Sequence, residues 1–555
     1  MSEDGTPSIS YLLDSNTPPK PVEIPVVESR IRDLVDKISE LRKLEVELER
    51  HRAILSPVRR VPREVLGYVF TFLHPYEHEE KVRDAAGRKD ILRLSLVCKL
   101  WRDATLVTHE LWTGLQIKPR HTLESLKPLE TWLSQAGSLP RRLQYQGWNL
   151  RDGEASTNVS RQSCSCGSSN AWTWTRRGPG SCLLAASVLP QLLTNGPRLD
   201  HLTLMCANTV CFGHFLDTMD ALRQIPTTPG SRPWDTLRSL SVKFQNTILL
   251  PDPQLGHIIV SHLERLPVVE SLEVHIPSSS SVFETGFDTS HLELNILPNL
   301  LERLTTFEIC CSWAGPHILK LLRHCSNIET LTINYGSSGD LSPLRNMGGP
   351  ALIQHYRAAP LVLAKLRTLR TRRARHLSFL YFLEAPQLVN LDIGIFSHEN
   401  GLNGYDLLLP FQSFRDRSGF TQSLRTFQLR ACFIDAGQLF PIISNLTGLT
   451  TLTLDNVKVE MDRLWKKFKD RDAAAQRGYG DLSFSNLEKL EILQLPPGCQ
   501  LEPIVDYIKK RGPSLKFQLI TSYKILEHRV LSEEDVRQTL RFSLSGVRAS
   551  IVPSV

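Results

Sequence analysis

Apolar residues recur at helical spacing in two early stretches, and the chain then turns to a long series of strand-length leucine clusters. Over residues 28–55, Ile31, Leu34, Ile38, Leu41 and Leu48 follow steps of three and four, with Glu45 between the last two. This seam of about three heptads, with charges on its other faces, predicts an amphipathic, coiled-coil-type helix ending before Pro57. It fits a dimerising coiled coil, hence a homodimer through 28–55, and equally a helix folded back on its own chain. A second helix opens at Val61-Pro62-Arg63-Glu64, where Val65, Leu66, Val69, Phe70 and Leu73 recur at offsets that stack them along one face. Pro62 suits a first turn, where a missing N–H loses no hydrogen bond. Ile91 to Val97 predicts a shorter helix leading into one that presents Cys98 and Trp101, and charged residues 74–89 form a lengthened link before it.

Residues 183–520 repeat one theme: an apolar helical stretch, a break, then a leucine-type strand. The strands begin at Leu199, Val269, Ile328, Leu388, Leu449 and Leu515, with less regular relatives at Leu237, Leu304, Leu366, Leu424 and Leu490. The helix faces Leu255/Ile258/Ile259/Leu263/Leu266 and Leu439/Ile442/Ile443/Leu446 precede two of them. Neither strand nor helix buries its apolar side until the next unit stacks on it. Each buried leucine-sized side chain contributes roughly 1.5–3 kcal/mol, so several units must stack to outweigh chain entropy.

The remaining segments are less patterned. Residues 1–27 are rich in Ser, Pro and Thr and read as disordered. Residues 116–182 read as a connector, a helix then a strand, ending in a polar exposed loop over 151–182. In the tail, 521–555, Ser532 ahead of Glu533, Glu534 and Asp535 reads as the start of a cap helix reaching Phe542, with a frayed end beyond.

At 555 residues the chain is too long for one core. Its 41% hydrophobic and 22% charged residues are ordinary for globular protein. A net charge of +7, from 65 basic and 58 acidic residues, is too small to imply nucleic-acid binding. No secretory signal is visible at Met1-Ser2-Glu3-Asp4, and the longest uncharged run, 178–197, is broken by Pro190 and is too polar to span a membrane. Eleven scattered cysteines suit reduced thiols, so the expected location is cytoplasmic, nuclear or both.

Val61-Pro62-Arg63-Glu64-Val65-Leu66 and Leu94-Ser95-Leu96-Val97-Cys98-Lys99-Leu100-Trp101-Arg102 resemble the two ends of an F-box, and Leu111-Trp112 closes the module as that family does. The domain would occupy residues 57–115, with Val61 standing where the family usually has leucine. The L-x-x-L-x-L pattern of the later strands is similar to leucine-rich repeats. Its spacing is irregular: successive starts lie 22 residues apart at Leu366/Leu388 and 41 at Leu449/Leu490. Only the Leu424 unit adds the turn-capping cysteine, Cys432. The fold expected is therefore a multi-domain α+β chain: a short coiled-coil helix, a three-helix F-box and an irregular α/β leucine-rich-repeat solenoid. An ordinary α/β domain with a parallel sheet is the simpler alternative. The whole resembles fungal-type F-box/leucine-rich-repeat proteins, substrate receptors of SCF ubiquitin ligases.

That resemblance implies binding rather than catalysis, with no cofactor. It implies a Skp-type adaptor as partner, a cullin through it, and a protein substrate on the repeats. The adaptor-contacting candidates it carries over are Pro62, Val65, Leu66, Phe70, Leu94, Val97, Cys98 and Trp101, with Leu111 and Trp112. The same residues also suit a non-ligase interaction scaffold.

No phosphate loop, nucleophile elbow, His-Glu-x-x-His or Cys-x-x-Cys is present, so no enzyme is expected. Cys164, Cys166 and Cys182 are too tightly spaced, and lack a fourth partner, for a zinc site. The sharpest charge feature is Lys365, Arg367, Arg370, Arg372, Arg373 and Arg375, interleaved with Leu366 and Leu369. Strand alternation would send these cations to a surface strip. The strip is a solvated face, a dock for an acidic or phosphorylated substrate, or a nucleic-acid contact. Sparse aromatics nearby disfavour the last.

Overall fold

The computed structural model describes residues 10–13, 18–55, 57–73, 82–119, 121, 123–147, 182–223, 232–245, 262–276, 294–311, 315–335, 358–374, 377–395, 405–477, 486–495, 504, 507, 518–523 and 548–551. Two compact units divide the chain: residues 1–77 with 86–111, and residues 78–85 with 112–555.

The first unit is helical. After a single turn, α1 (Ser10–Leu13), comes α2 (Ile24–Ile54), a 31-residue helix. Pro25 is accommodated in its first turn, and His51 and Arg52 suit the negative end of its dipole. Its seam residues Ile31, Leu34, Ile38, Leu41 and Leu48 are all exposed. Then come α3 (Arg63–Phe72), α4 (Ala85–Val97) and α5 (Lys99–Val107). Pro62 sits one position ahead of the first turn, at the N-cap of α3, with an extended ψ of 143°. Helix α4 begins at Ala85, so part of the stretch expected to be a link is helical, with Gly87 buried. Cys98, extended at φ −161°, breaks the chain between α4 and α5.

Helices α3 and α5 pack closely because Gly67 has no side chain. A Cβ there would run into the Thr108 hydroxyl and lie 3.0 Å from the Ala104 carbonyl oxygen. Phe70 and Trp101 extend this contact, their ring centroids 5.0 Å apart.

The second unit is built on strands. They are β1 (Gly114–Ile117), β2 (Arg142–Gln146), β3 (His201–Cys206), β4 (Ser239–Phe244), β5 (Ser271–His275), β6 (Thr306–Cys311), β7 (Thr330–Tyr335) and β8 (Leu361–Val362). Then follow β9 (Thr368–Ala374), β10 (Leu383–Glu384), β11 (Asn390–Ile395), β12 (Thr426–Arg430), β13 (Thr451–Asp455), β14 (Lys489–Leu495), β15 (Gln518–Tyr523) and β16 (Arg548–Ile551). Fourteen of them make one sheet in chain order, and the short β8 and β10 pair apart. Every pairing in the large sheet is parallel.

Parallel neighbours require each return path to cross back beside the sheet. Helices supply many of these paths: α6 (Leu126–Ser134), α7 (Leu189–Asn195), α8 (Thr209–Arg223), α9 (Pro298–Arg303), α10 (Gly315–Leu322), α11 (Tyr405–Ser418), α12 (Ala436–Ser444) and α13 (Met461–Gln476). Helix α12 starts where the Asp435 carboxylate accepts from the Gly437 N–H at 2.6 Å, an N-cap bond.

The register explains the leucine spacing. Leu202, Leu240, Leu272, Phe307, Leu331, Leu369, Leu391, Phe427, Leu452 and Leu490 align in one buried row across the sheet. A second row two positions on, including Val242, Val274, Ile309, Ile333, Ile393, Leu429 and Leu454, is buried too. The alternate positions point to the opposite face and are polar: hydroxyl groups at Ser239, Ser271, Thr306, Thr330, Thr368, Thr426 and Thr451, then charged residues farther along. On β9, β12, β13 and β14 the residue after the last of these outward positions has positive φ: Arg373, Ala431, Asn456 and Gln494. Ala431 and Asn456 there donate their N–H groups to the Asp455 and Leu493 carbonyls of the next strand.

Several boundaries differ from expectation. The sheet starts at Gly114, well ahead of residue 183, since β1 and β2 lack the leucine signature that marks the later strands. Residues 548–551, expected to fray, pair as β16 with β15. The expected cap helix over 532–542, loop residues 151–181, and Leu255, Ile258 and Ile259 lie outside the described residues. No described helix is long and apolar enough to cross a membrane.

Candidate protein-binding surfaces

The helical unit shows two apolar faces where the sequence implied one. On α3, Leu66 and Phe70, one turn apart, are buried against α5. Val65, Tyr68, Val69 and Phe72, at i, i+3, i+4 and i+7, form a second stripe that stays exposed, from 48% at Val69 to 62% at Phe72. Tyr68 and Phe72 pack edge to face within it, centroids 4.8 Å apart. Leu73 beyond the helix end is exposed as well. The apolar arc of α3 is too wide for α5 to cover, so spacing alone merged two stripes.

Helix α4 buries Ile91 and exposes Leu92, Leu96 and Val97. Cys98 is exposed, and Leu94 and Trp101 are half-buried. Arg102 Nε ties α5 to α4 by donating to the Ser95 carbonyl at 3.3 Å. Leu106 and Val107 on α5 are exposed as well. Large apolar side chains left exposed in such number on one folded unit are candidates for a docking face.

The ten residues picked from the sequence therefore separate. Pro62, Val65, Val97 and Cys98 are exposed; Leu66, Phe70, Leu111 and Trp112 are buried; Leu94 and Trp101 lie between. Trp112 falls in the sheet-bearing unit, where its ring meets Trp132 at 4.5 Å. Tyr68, Val69, Phe72, Leu73, Leu92 and Leu96 were missed as surface residues. The i, i+3, i+4, i+7 spacing of Val65, Tyr68, Val69 and Phe72 was the available signal.

An F-box-like family model matches residues 58–118. The chain carries an F-box-like domain. The match spans α3, with its exposed stripe, α4 and α5, and supports reading this chain as an F-box protein. No curated protein matches the chain.

Beyond the F-box-like domain, the basic strip falls on and just before β9. Leu366, Leu369, Thr371 and Ala374 are buried, while Lys365, Arg367, Arg370 and Arg373 are exposed. Arg372 is half-buried and pairs with Asp392 Oδ2 at 2.6 Å. Arg430 reaches the other oxygen of Asp392 at 3.3 Å and Asp455 at 3.6 Å, so an ion-pair chain crosses β9, β11, β12 and β13. Burial and the neighbouring Asp392 push the Asp455 carboxyl above its usual range despite Arg430. Lys365 donates to Asn327 Oδ1 at 2.7 Å. Arg375 lies outside the described residues.

No group of three or more His, Cys, Asp or Glu side chains placed to hold a metal occurs among the described residues, and Cys164 and Cys166 lie outside them. Burial raises the Cys310 thiol to about 11 and those of Cys325 and Cys432 to about 12. Such thiols are poor nucleophiles at neutral pH.

Proposed function

We propose that this chain is a non-catalytic substrate-recognition subunit of an SCF-type ubiquitin ligase. In that reading the F-box-like domain docks on a Skp-type adaptor, and through it on a cullin. The observation that carries the reading is the exposed apolar stripe of α3, together with exposed Leu92, Leu96 and Val97 on α4, inside a segment that matches the F-box-like family. The sheet-bearing unit would hold the protein substrate. Its parallel strands in chain order, with leucine rows in register, favour an irregular leucine-rich-repeat array. Ubiquitin transfer would then gain from a raised effective concentration of substrate, with no acid–base group supplied by this chain.

Co-purification of the full chain with a Skp-type adaptor tests this. Val65→Glu combined with Leu96→Glu places charges on the exposed stripe and is expected to abolish retention with little change in thermal stability. Leu66→Ala is expected to loosen the α3–α5 contact, since Leu66 is only 5% exposed. Absence of retention by the wild type, or retention undiminished in the folded Val65/Leu96 variant, would refute the reading.

A further inference from the structure

Helix α2 carries an apolar seam that its own chain leaves bare. Every residue from Glu28 to Arg52 is exposed, so among the described residues no element lies along it, and the fold-back that its spacing allowed is not the arrangement seen. Written as heptads, Ile31 and Ile38 stand at a, followed there by Glu45 and Arg52, while Leu34, Leu41, Leu48 and Leu55 stand at d. Exposure along this line within the helix runs from 45% at Leu34 to 64% at Leu41. Val35 at e and Leu44 at g widen the seam, and both are exposed as well.

Charge decides what can cover it. Acidic and basic residues occur in equal number on α2, whereas a helix lying on a lipid surface carries an excess of Lys and Arg. A second copy fits, but not in parallel. Parallel pairing would set Glu45 on Glu45 and Arg52 on Arg52 inside the seam, and Lys37 beside Arg42 of the second copy. Reversing one helix removes all three like-charged contacts. Centred between Ile38 and Leu41, the antiparallel alignment layers Ile31 with Leu48, Leu34 with Glu45, and Ile38 with Leu41, each pair occurring twice by two-fold symmetry. Arg52 then layers with Val27, Lys37 faces Leu44, Arg42 faces Val35, and Arg30 faces His51. Glu28 beside Glu49 is a like-charged pair at the wet margin of the seam, where water and salt screen it.

We infer that α2 pairs with α2 of a second copy of this chain, antiparallel and in this register, as a two-stranded coiled coil. The seam is its own complement: read backwards, its apolar positions fall on apolar positions except where Glu45 meets Leu34 and Arg52 meets Val27. The two helices overlap along their whole length in this alignment. A 31-residue helix is about 46 Å long and about 10 Å across. Two of them side by side cover about 900 Å² between them, close to the smallest specific interfaces, so the pair is reversible. The inference makes no use of adaptor docking and stands or falls separately from it.

Sedimentation velocity of the full chain, from about 0.1 to about 50 μM, tests it, and a monomer–dimer equilibrium within that range is expected. Ile38→Glu/Leu41→Glu puts carboxylates into the central layers and should leave a monomer throughout. Both positions are exposed in the single chain, so the variant keeps its fold. Val46→Glu, an exposed position off the seam, should change nothing. Glu45→Leu replaces the polar layer and should tighten the dimer about tenfold, a gain that no folding defect can imitate. Mild oxidation of Val35→Cys/Arg42→Cys should join the copies through 35–42 disulfides, identified by peptide mass, which a parallel pair cannot form. A monomer at every concentration would overturn the inference. So would a dimer that survives Ile38→Glu/Leu41→Glu, or one that forms without the 35–42 link. Flotation with vesicles of mixed zwitterionic and anionic phospholipid is expected to leave the chain behind. Vesicle binding that is lost in Ile38→Glu/Leu41→Glu would give the seam to a lipid surface instead.

Discussion

The contact between α3 and α5 is the most exacting feature of the F-box-like domain, and Gly67→Ala measures it. The added Cβ would collide with the Thr108 hydroxyl, and would lie 3.0 Å from the Ala104 carbonyl and 3.1 Å from the Thr108 Cβ. Two of these three atoms cannot rotate away, because one is backbone and the other is fixed to it. The hydroxyl is itself held by a 2.7 Å bond to the Ala104 carbonyl. The helices must therefore separate. Overpacking of this kind costs about 1–3 kcal/mol. Alanine gains about 1 kcal/mol over glycine inside a helix, which offsets part of the cost. Because the added atom meets backbone, the upper part of that cost, about 2–3 kcal/mol, applies, and the net expectation is a local destabilisation of about 1–2 kcal/mol, or roughly a 5- to 30-fold faster amide exchange across α3 and α5. Hydrogen exchange of the intact chain, read on peptides covering 63–72 and 99–107, reports it directly, with peptides from β11 to β13 as an unaffected reference. Thr108→Ala in the same background should restore part of the protection by removing the first obstacle. Protection equal to or greater than wild type in Gly67→Ala would refute the close approach of the two helices.

Other consequences are open to the same kind of measurement. Ala431→Gly should raise the urea midpoint of the sheet-bearing unit by the equivalent of about 1 kcal/mol, because Ala431 holds a φ of 52° that glycine adopts freely; a fall of similar size would contradict the strain. Asp392→Asn should cost about 2 kcal/mol, since it withdraws the shared charge from Arg372 and Arg430, and an unchanged midpoint would show the ion-pair chain to be inert. Burial holds the imidazoles of His201, His262 and His275 below their ordinary pKa, helped by Arg142, Arg265 and Lys243 respectively. The folded state then resists a proton that the unfolded chain accepts near pH 6.5, so stability should decline as the pH drops from 7.5 towards 5.5. Denaturation midpoints in that window should flatten in His201→Gln/His262→Gln/His275→Gln, and an equally steep decline in that variant would place the dependence elsewhere.

A large part of this protein's architecture is written in the periodicity of its apolar residues. The first positions of the leucine clusters at Leu199, Leu237, Val269, Leu304, Ile328, Leu366, Leu388, Leu424 and Leu449 each stand buried ahead of a strand, from β3 to β13. The proline-led helix at Arg63 and the break at Cys98 were legible for the same reason, since both depend on residues within a few positions of each other. The connector's helix and strand were legible as α6 and β2, but β1 was not, because GLQI has no leucine triplet, and neither strand could be assigned to the sheet before β2 paired with β3 and β1 with β2.

Burial and charge balance belong to the tertiary structure. Sequence spacing placed Val65 and Leu66 together, and only the approach of α5 at Gly67 decided that one would be buried and the other left facing outwards. Six cations on one stretch looked alike until the sheet brought Asp392 and Arg430 beside them from 20 and 58 residues away from Arg372. A side chain's neighbours along the chain set its local conformation, whereas its neighbours in space decide whether an apolar face is covered and whether a charge is matched.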